Sequence, residues 1–188
     1  MRILSKESYG EILIKPTRFG DHRGFFSETY SQKKYADFGI DLDFVQDNHS
    51  LSADIGTLRG LHFQRPPKAQ AKLVRCGRGA IFDVVVDIRK DSPSFGCWQG
   101  YELTANNGWQ LFVPIGFAHG FVTLKKNSEI VYKCSDYYDP ETEGSVSWED
   151  PDIGINWKLK GDPIISTKDR EAPLLRDLES PFFYRVNS

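Results

Sequence analysis

The stretch GWQLFVPIGFAHGFVT, residues 108–123, decides the fold. Its fixed points are Gly108, Pro114, Gly116 and His119, and Thr123 closes it. Pro114 and Gly116 make a tight turn, because proline presets φ and glycine accepts conformations closed to other residues. The apolar runs on either side read as strands over 109–114 and 119–124. In the second run, the two-residue period sends His119 and Phe121 to the same inward face. A sharp turn between two apolar strands, with a ring nitrogen aimed inward, suits a β domain built around an internal site.

The same alternation continues outward. Strand-type runs are expected over 12–16, 44–50, 58–64, 72–76, 80–88, 98–105 and 129–136. Turn residues separate them: Pro66-Pro67, Gly77 with Gly79, Ser92-Pro93, Asn106 with Gly108, and Lys126-Asn127. The segment FGDHRGFFSETY (19–30) turns through 21–24. QKKYADFGID (32–41) predicts a helix closed by Gly39, and a second short helix is expected over 169–177. Many short strands at such spacing predict an all-β antiparallel sandwich or barrel. With 188 residues the chain is expected to form a single domain over 1–188, its barrel core at about 40–150 and residues 150–188 wrapped around it.

Composition narrows the function. The formal net charge is −2 with mixed signs, which argues against a field for nucleic acid or membrane surfaces. Three cysteines, Cys76, Cys97 and Cys134, form no CxxC pair. They are expected to be reduced thiols of a cytoplasmic protein. No signal peptide and no run long enough to span a bilayer is read from the sequence.

Apart from its last position, the 108–123 pattern resembles the second sequence motif of cupin barrels. Metal-binding cupins add a His-x-His cluster followed by Glu, since a divalent ion wants three or four ligands. Here the matching stretch is Gly60-Leu61-His62, and no Glu occurs between His62 and Asp83. The chain has four histidines in all, His22, His49, His62 and His119, so no metal is expected. His62 is then free to act as a base. Strict alternation over 58–64 places Gly60, His62 and Gln64 on one face, with Gly60 leaving room beside the ring, and Arg59, Leu61 and Phe63 on the other. A hydrogen-bonded core histidine is the competing explanation. In EIVYKCSDYYDP (129–140), Ile130, Tyr132 and Cys134 share a face, so the Tyr132 hydroxyl needs a buried partner, whether for catalysis or packing. In STKDREAP (166–173), Asp169 is a candidate carboxylate to orient a basic histidine. The alternative is a charged surface run starting a helix capped by Thr167.

FGDHRGFFSETY, FVQDNHS, the span from GTLRGLHFQ to DVVVDIRK, PIGFAHGF and VYKCSDYYDPETEG together resemble the dTDP-4-dehydrorhamnose 3,5-epimerase family over roughly residues 10–175. The resemblance implies a cupin-type jelly-roll barrel of antiparallel strands with a few short helices, a homodimer, and chemistry without metal or cofactor. It implies that His62 is the base with Asp169 as partner, that Tyr132 is the acid on the opposite face, and that Lys72 holds the O4 oxygen. It implies that His119 lines the sugar site. Arg23, Glu28, Gln46, Asp47, Asn48 and Arg59 would contact the nucleotide or its phosphates, with Glu143 and Lys168 at the periphery and Tyr138 near the thymine. Some of these, from the N-terminal strand, would serve a partner subunit's site. His22 is assigned no role. Arg59 and His62 fall on opposite faces by strict alternation, so a bulge, a strand end or the reach of arginine is needed to reunite them.

These residue types suit a 4-keto sugar nucleotide. The ketone acidifies C3 and C5, inversion needs a base and an acid on opposite sides of the ring, and a fixed cation stabilises the enolate. Planar guanidinium donors suit a pyrophosphate. The competing functions are an epimerase acting at C3 or C5 alone, a cupin ketoisomerase, and a non-catalytic sugar-nucleotide-binding barrel. The last would keep arginines and aromatic residues but would not need His62, Lys72 and Tyr132 together.

Overall fold

The computed structural model describes residues 1–6 and 9–184. Strands β1 (Arg2–Lys6) and β2 (Ile12–Lys15) come first, then the hairpin β3 (Phe19–Asp21) and β4 (Gly24–Phe26) and helix α1 (Gln32–Ala36). The barrel continues with β5 (Gln46–Ser52), β6 (Leu58–Gln64), β7 (Lys72–Arg78), β8 (Ala80–Asp87), β9 (Trp98–Thr104), β10 (Gln110–Val113), β11 (Phe117–Thr123) and β12 (Ser128–Cys134). A short β13 (Glu143–Ser145), helix α2 (Thr167–Arg170) and a 3-10 turn (Leu175–Asp177) complete the described chain.

The strands form a six-stranded sheet, ordered β1-β2-β10-β7-β12-β5, and a five-stranded sheet, ordered β13-β6-β11-β8-β9. Their ladders are antiparallel. The two sheets face each other across an apolar layer to which the first contributes Val74, Leu111 and Ile130 and the second Ile81, Val85, Phe117 and Phe121. This is a cupin-type jelly roll, the fold that the family resemblance implied, and it fits the antiparallel sandwich or barrel that the turn and strand pattern predicted. β1 and β2 extend its wall N-terminal to the 40–150 core expected from the sequence.

Strand β8 does not alternate apolar with polar, because both of its faces are covered. Ile81 and Val85 point into the barrel. Phe82, Val84 and Val86 point outward, onto Ile153, Trp157, Leu175 and Phe182 of the C-terminal segment. That segment wraps the five-stranded sheet as far as residue 184; the last four residues of the expected wrap, 185–188, lie outside the described residues.

The pairing of β6 with β11 positions the site. His119 lies opposite His62 and Phe121 opposite Arg59, so three steps along β6 match two along β11. The extra residue is a bulge at Gly60-Leu61, and it corrects the strict alternation expected over 58–64. Arg59 and His62 now both face the barrel interior, while Leu61 and Phe63 pack outward under the C-terminal segment. Gly60 does not leave room for a ligand. Its φ is +111°, and a Cβ there would stand 2.7 Å from both Gly120 Cα and the His119 carbonyl oxygen. The glycine is needed for close backbone approach.

Two helical expectations are also corrected. The helix expected over 32–41 ends at Ala36, and Gly39 closes the following turn at φ +85°. The helix expected over 169–177 is two short pieces separated by Pro173, which cannot supply the N–H that a continuous helix would need. Its cap is Ser166 rather than Thr167: the Ser166 side chain accepts from Asp169 N–H at 3.1 Å. Gly60→Ala should destabilise the protein by about 2 kcal/mol or more, through left-handed strain and backbone overlap. Urea unfolding checks this; a midpoint unchanged from wild type would contradict the bulge geometry.

Candidate active site

A cavity of about 560 Å³ opens between the two sheets. The five-stranded sheet supplies Arg59, His62, His119 and Phe121; the six-stranded sheet supplies Lys72, Ile130 and Tyr132. The segment through Ile164, Ile165, Ser166, Lys168 and Asp169 forms a third side. Residues from β6, β7, β11, β12 and α2 therefore meet in one space.

His62 and His119 are cross-strand neighbours, each held by a carboxylate. The His62 Nε2–H donates to Asp169 Oδ1 at 2.5 Å. That bond leaves Nδ1 with a lone pair and no hydrogen-bond partner among the described residues. Asp169 is 4% exposed, so it is not part of a charged surface run. Its Oδ2 accepts the Gly60 N–H at 3.4 Å. Burial pushes the Asp169 carboxyl up, but the His62 hydrogen bond and charge, with Gly60 and Ser166, outweigh it and hold the group below the usual carboxylate range. His119, 8% exposed, donates from Nε2 to the fully buried Asp83 at 2.8 Å. In the sequence Asp83 stands within the apolar run AIFDVVVDI, residues 80–88.

Tyr132 and Lys72 stand on the opposite wall. Burial pushes the Tyr132 hydroxyl up, with Arg59 opposing, so it is a neutral phenol at neutral pH. Lys72 lies beside Cys134 of β12 in the ladder. Burial pushes its ammonium down, while the charges of neighbouring acidic groups oppose the shift. Base and acid candidates thus come from different sheets, with a cation on the acid side.

The remaining expected residues are placed around this core. At the mouth, Lys168 pairs with Glu143, and the Tyr138 hydroxyl donates to the same Glu143 Oε2 at 3.1 Å. On β5, Gln46 accepts the Tyr138 N–H at 2.9 Å and donates to Asn48 at 3.1 Å. Asp47 pairs with Lys133 at 2.9 Å on the outer face of the sheet. Arg23 and Glu28 are not at the cavity wall of this chain. Arg23 pairs with Asp21 at 2.6 Å in the exposed β3–β4 hairpin, and Glu28 with Lys34 at 2.7 Å. Phe121 lines the cavity beside His119, as alternation predicted, whereas sequence reasoning missed Ile164 and Ile165, since apolar side chains carry no chemical signature. Among the described residues, no group of three or more His, Cys, Asp or Glu side chains is arranged to hold a metal ion. The three cysteines are free.

The family model described as dTDP-4-dehydrorhamnose 3,5-epimerase matches residues 7–177. The chain belongs to this family. It is 52% identical over 177 residues to the dTDP-4-dehydrorhamnose 3,5-epimerase of Salmonella typhimurium, covering 93% of this chain and 96% of that one. The crystal structure of the Legionella pneumophila dTDP-6-deoxy-D-glucose-3,5-epimerase in complex with dTDP-4-keto-L-rhamnose superposes with a TM-score of 0.93 at 42% identity, covering 98% and 99% of the two chains. A 3'-monoepimerase of Streptomyces bikiniensis, in complex with dTDP-quinovose, is more distant, at TM-score 0.85 and 37% identity over 94% and 88%.

The depressed Asp169 pKa gives a linkage test. Its stabilising contribution is present above the unfolded-state value of about 4 and is lost as pH falls through the folded-state value. The stability difference between wild type and Asp169→Asn, from urea unfolding, should therefore be steady above pH about 4 and shrink below it. A difference unchanged down to pH 3 would contradict the pairing.

Proposed function

We propose that the protein converts dTDP-4-dehydro-6-deoxy-D-glucose to dTDP-4-dehydro-β-L-rhamnose by epimerising C3 and C5. The observation that carries this reading is the arrangement of groups across the cavity: a carboxylate-held His62 on one wall, a neutral Tyr132 and the Lys72 cation on the other. An epimerase must remove a proton from one face of a carbon and return one to the other. Two walls carrying opposite roles meet that need without rotating the sugar.

The chemistry follows from the substrate's own ketone. His62 Nδ1 takes the proton at C5 or C3, and the C–H electron pair moves to place negative charge on O4. The Lys72 ammonium, a compact point charge, stabilises that oxyanion. Asp169 holds the ring in the Nε2–H tautomer and steadies the imidazolium that forms. Tyr132 then delivers a proton from the opposite face, and the ketone reforms. The enolate is stabilised by substrate and protein alone, so no cofactor is needed for this step.

The nucleotide lies along the cavity mouth. Arg59 and Lys168 meet its phosphates, and the cluster of Gln46, Asn48, Tyr138 and Glu143 borders the base. Asp47 belongs to the same strand. Arg23 and Glu28 complete the neighbouring site of a homodimer. The exposed Phe19, Phe25 and Phe26 of their arm, 64, 61 and 70% exposed, support burial against a second copy. The reading places the protein in the cytoplasm, where nucleotide sugars are made; among the described residues, no helix is long and apolar enough to cross a membrane.

Proton NMR of the 4-keto substrate with the protein in D2O tests this function. Loss of signal at both C3 and C5, with reduction of the product giving dTDP-L-rhamnose, is expected. Exchange at one carbon only would make the protein a monoepimerase like the Streptomyces relative, and tight binding without exchange would leave a binding barrel. His62→Ala should lower turnover by about 10² to 10⁴ while substrate binding is largely kept. Tyr132→Phe should slow net epimerisation more than C5–H exchange, because exchange needs only the base. Equal loss of both would make Tyr132 a group that positions the sugar.

A further inference from the structure

Every residue of β8 is buried, yet it carries two aspartates, Asp83 and Asp87. Asp87 is fully served: it accepts from Arg89 at 2.6 Å and from the hydroxyls of Ser92 and Ser94, each at 2.6 Å. Asp83 is not. It is 0% exposed on the inward side of the strand, and Oδ1 accepts only the His119 Nε2–H. Its Oδ2 is buried with no hydrogen-bond partner. A carboxylate with a bare oxygen costs stability in an apolar layer, so packing alone would place valine or isoleucine here.

Two cationic or ionisable groups of the cavity feel this charge, His119 directly and Lys72 through space. Lys72 has no hydrogen-bonded carboxylate of its own among the described residues. We infer that Asp83 is a positioning residue, which fixes the His119 ring and supplies the buried negative charge that keeps the Lys72 ammonium in the cavity. This rests on the epimerase reading of the same site.

The other groups facing Lys72 do not supply that charge. Cys134 of β12 is adjacent, but burial pushes its thiol up, so it is uncharged at neutral pH. Glu143 of β13 is already engaged by Lys168 and Tyr138. The other ionisable cavity groups, Arg59, His62 and Tyr132, add no free negative charge, and Asp169 of α2 is bound to His62. Of these carboxylates, Asp83 keeps an oxygen without a hydrogen-bond partner, and it lies on the inward side of β8. Enolate formation makes its role specific: Lys72 must be charged when O4 becomes negative.

Asp83→Asn separates the charge from the hydrogen bond, since the amide oxygen still accepts the His119 N–H. The expected result is a fall in kcat of about tenfold or more with a smaller change in KM. The alkaline limb of the kcat–pH profile should move down by about one unit or more, because the ammonium loses its counter-charge. A kcat within twofold of wild type and an unmoved limb would overturn the inference. Denaturant unfolding of Asp83→Asn, Lys72→Met and the double variant covers the other cases. The inference requires Asp83→Asn to be less damaging when Lys72 is already neutral, including rescue of folding if the single variant fails to fold. Additive effects, or no rescue, would overturn it. If wild type fails to exchange the substrate's protons, the epimerase reading falls, and the unfolding comparison still decides the charge pairing.

Discussion

The hydrogen bond between His62 and Asp169 spans 107 residues of sequence and holds the site together. One partner is on an inner strand of the five-stranded sheet; the other is on a four-residue helix of the C-terminal wrap. Neither would serve alone. An unpaired histidine in this cavity would have no fixed tautomer, and a buried aspartate without it would be an uncompensated charge. The bond therefore couples the geometry of the site to the docking of the wrap, whose apolar residues cover the outer face of β6 and β8.

A second constraint sits beneath the first. The bulge at Gly60-Leu61 inserts one residue into β6, and the Gly60 N–H reaches Asp169 from within it. One irregularity thus turns Arg59 and His62 to the same side, seats the strand against Gly120 and helps hold the Asp169 carboxylate. The opposite sheet is regular where it matters. Lys72 and Tyr132 lie on neighbouring strands in an unbroken part of the ladder, and their spacing follows from period 2 alone.

The sequence carried the architecture clearly, because tight turns and short apolar runs determine an antiparallel barrel almost without reference to distant contacts. The inward faces of β11 and β12 were legible for the same reason: His119, Ile130 and Tyr132 follow simple alternation. The β6 faces were not, since a bulge depends on how another strand's backbone approaches. The Thr167 cap was displaced by one residue, within the usual uncertainty of helix ends. Strand β13 escaped notice because three residues carry too little pattern to read. The family resemblance supplied what local pattern could not, namely the pairing of Asp169 with His62 and the place of Lys72. Asp83 was visible as a charge in an apolar run, but its meaning required the three-dimensional neighbourhood of Lys72.

The central claim is that proton removal and return occur from opposite walls of one cavity. The most direct measurement is a crystal structure of the protein with a nucleotide sugar that lacks the reactive ketone. The account predicts the pyranose between the sheets, with His62 Nδ1 and the Tyr132 hydroxyl on opposite faces of the ring, each within about 3.5 Å of the carbon it serves. Both groups on the same face of the ring, or a sugar seated outside the cavity, would contradict it.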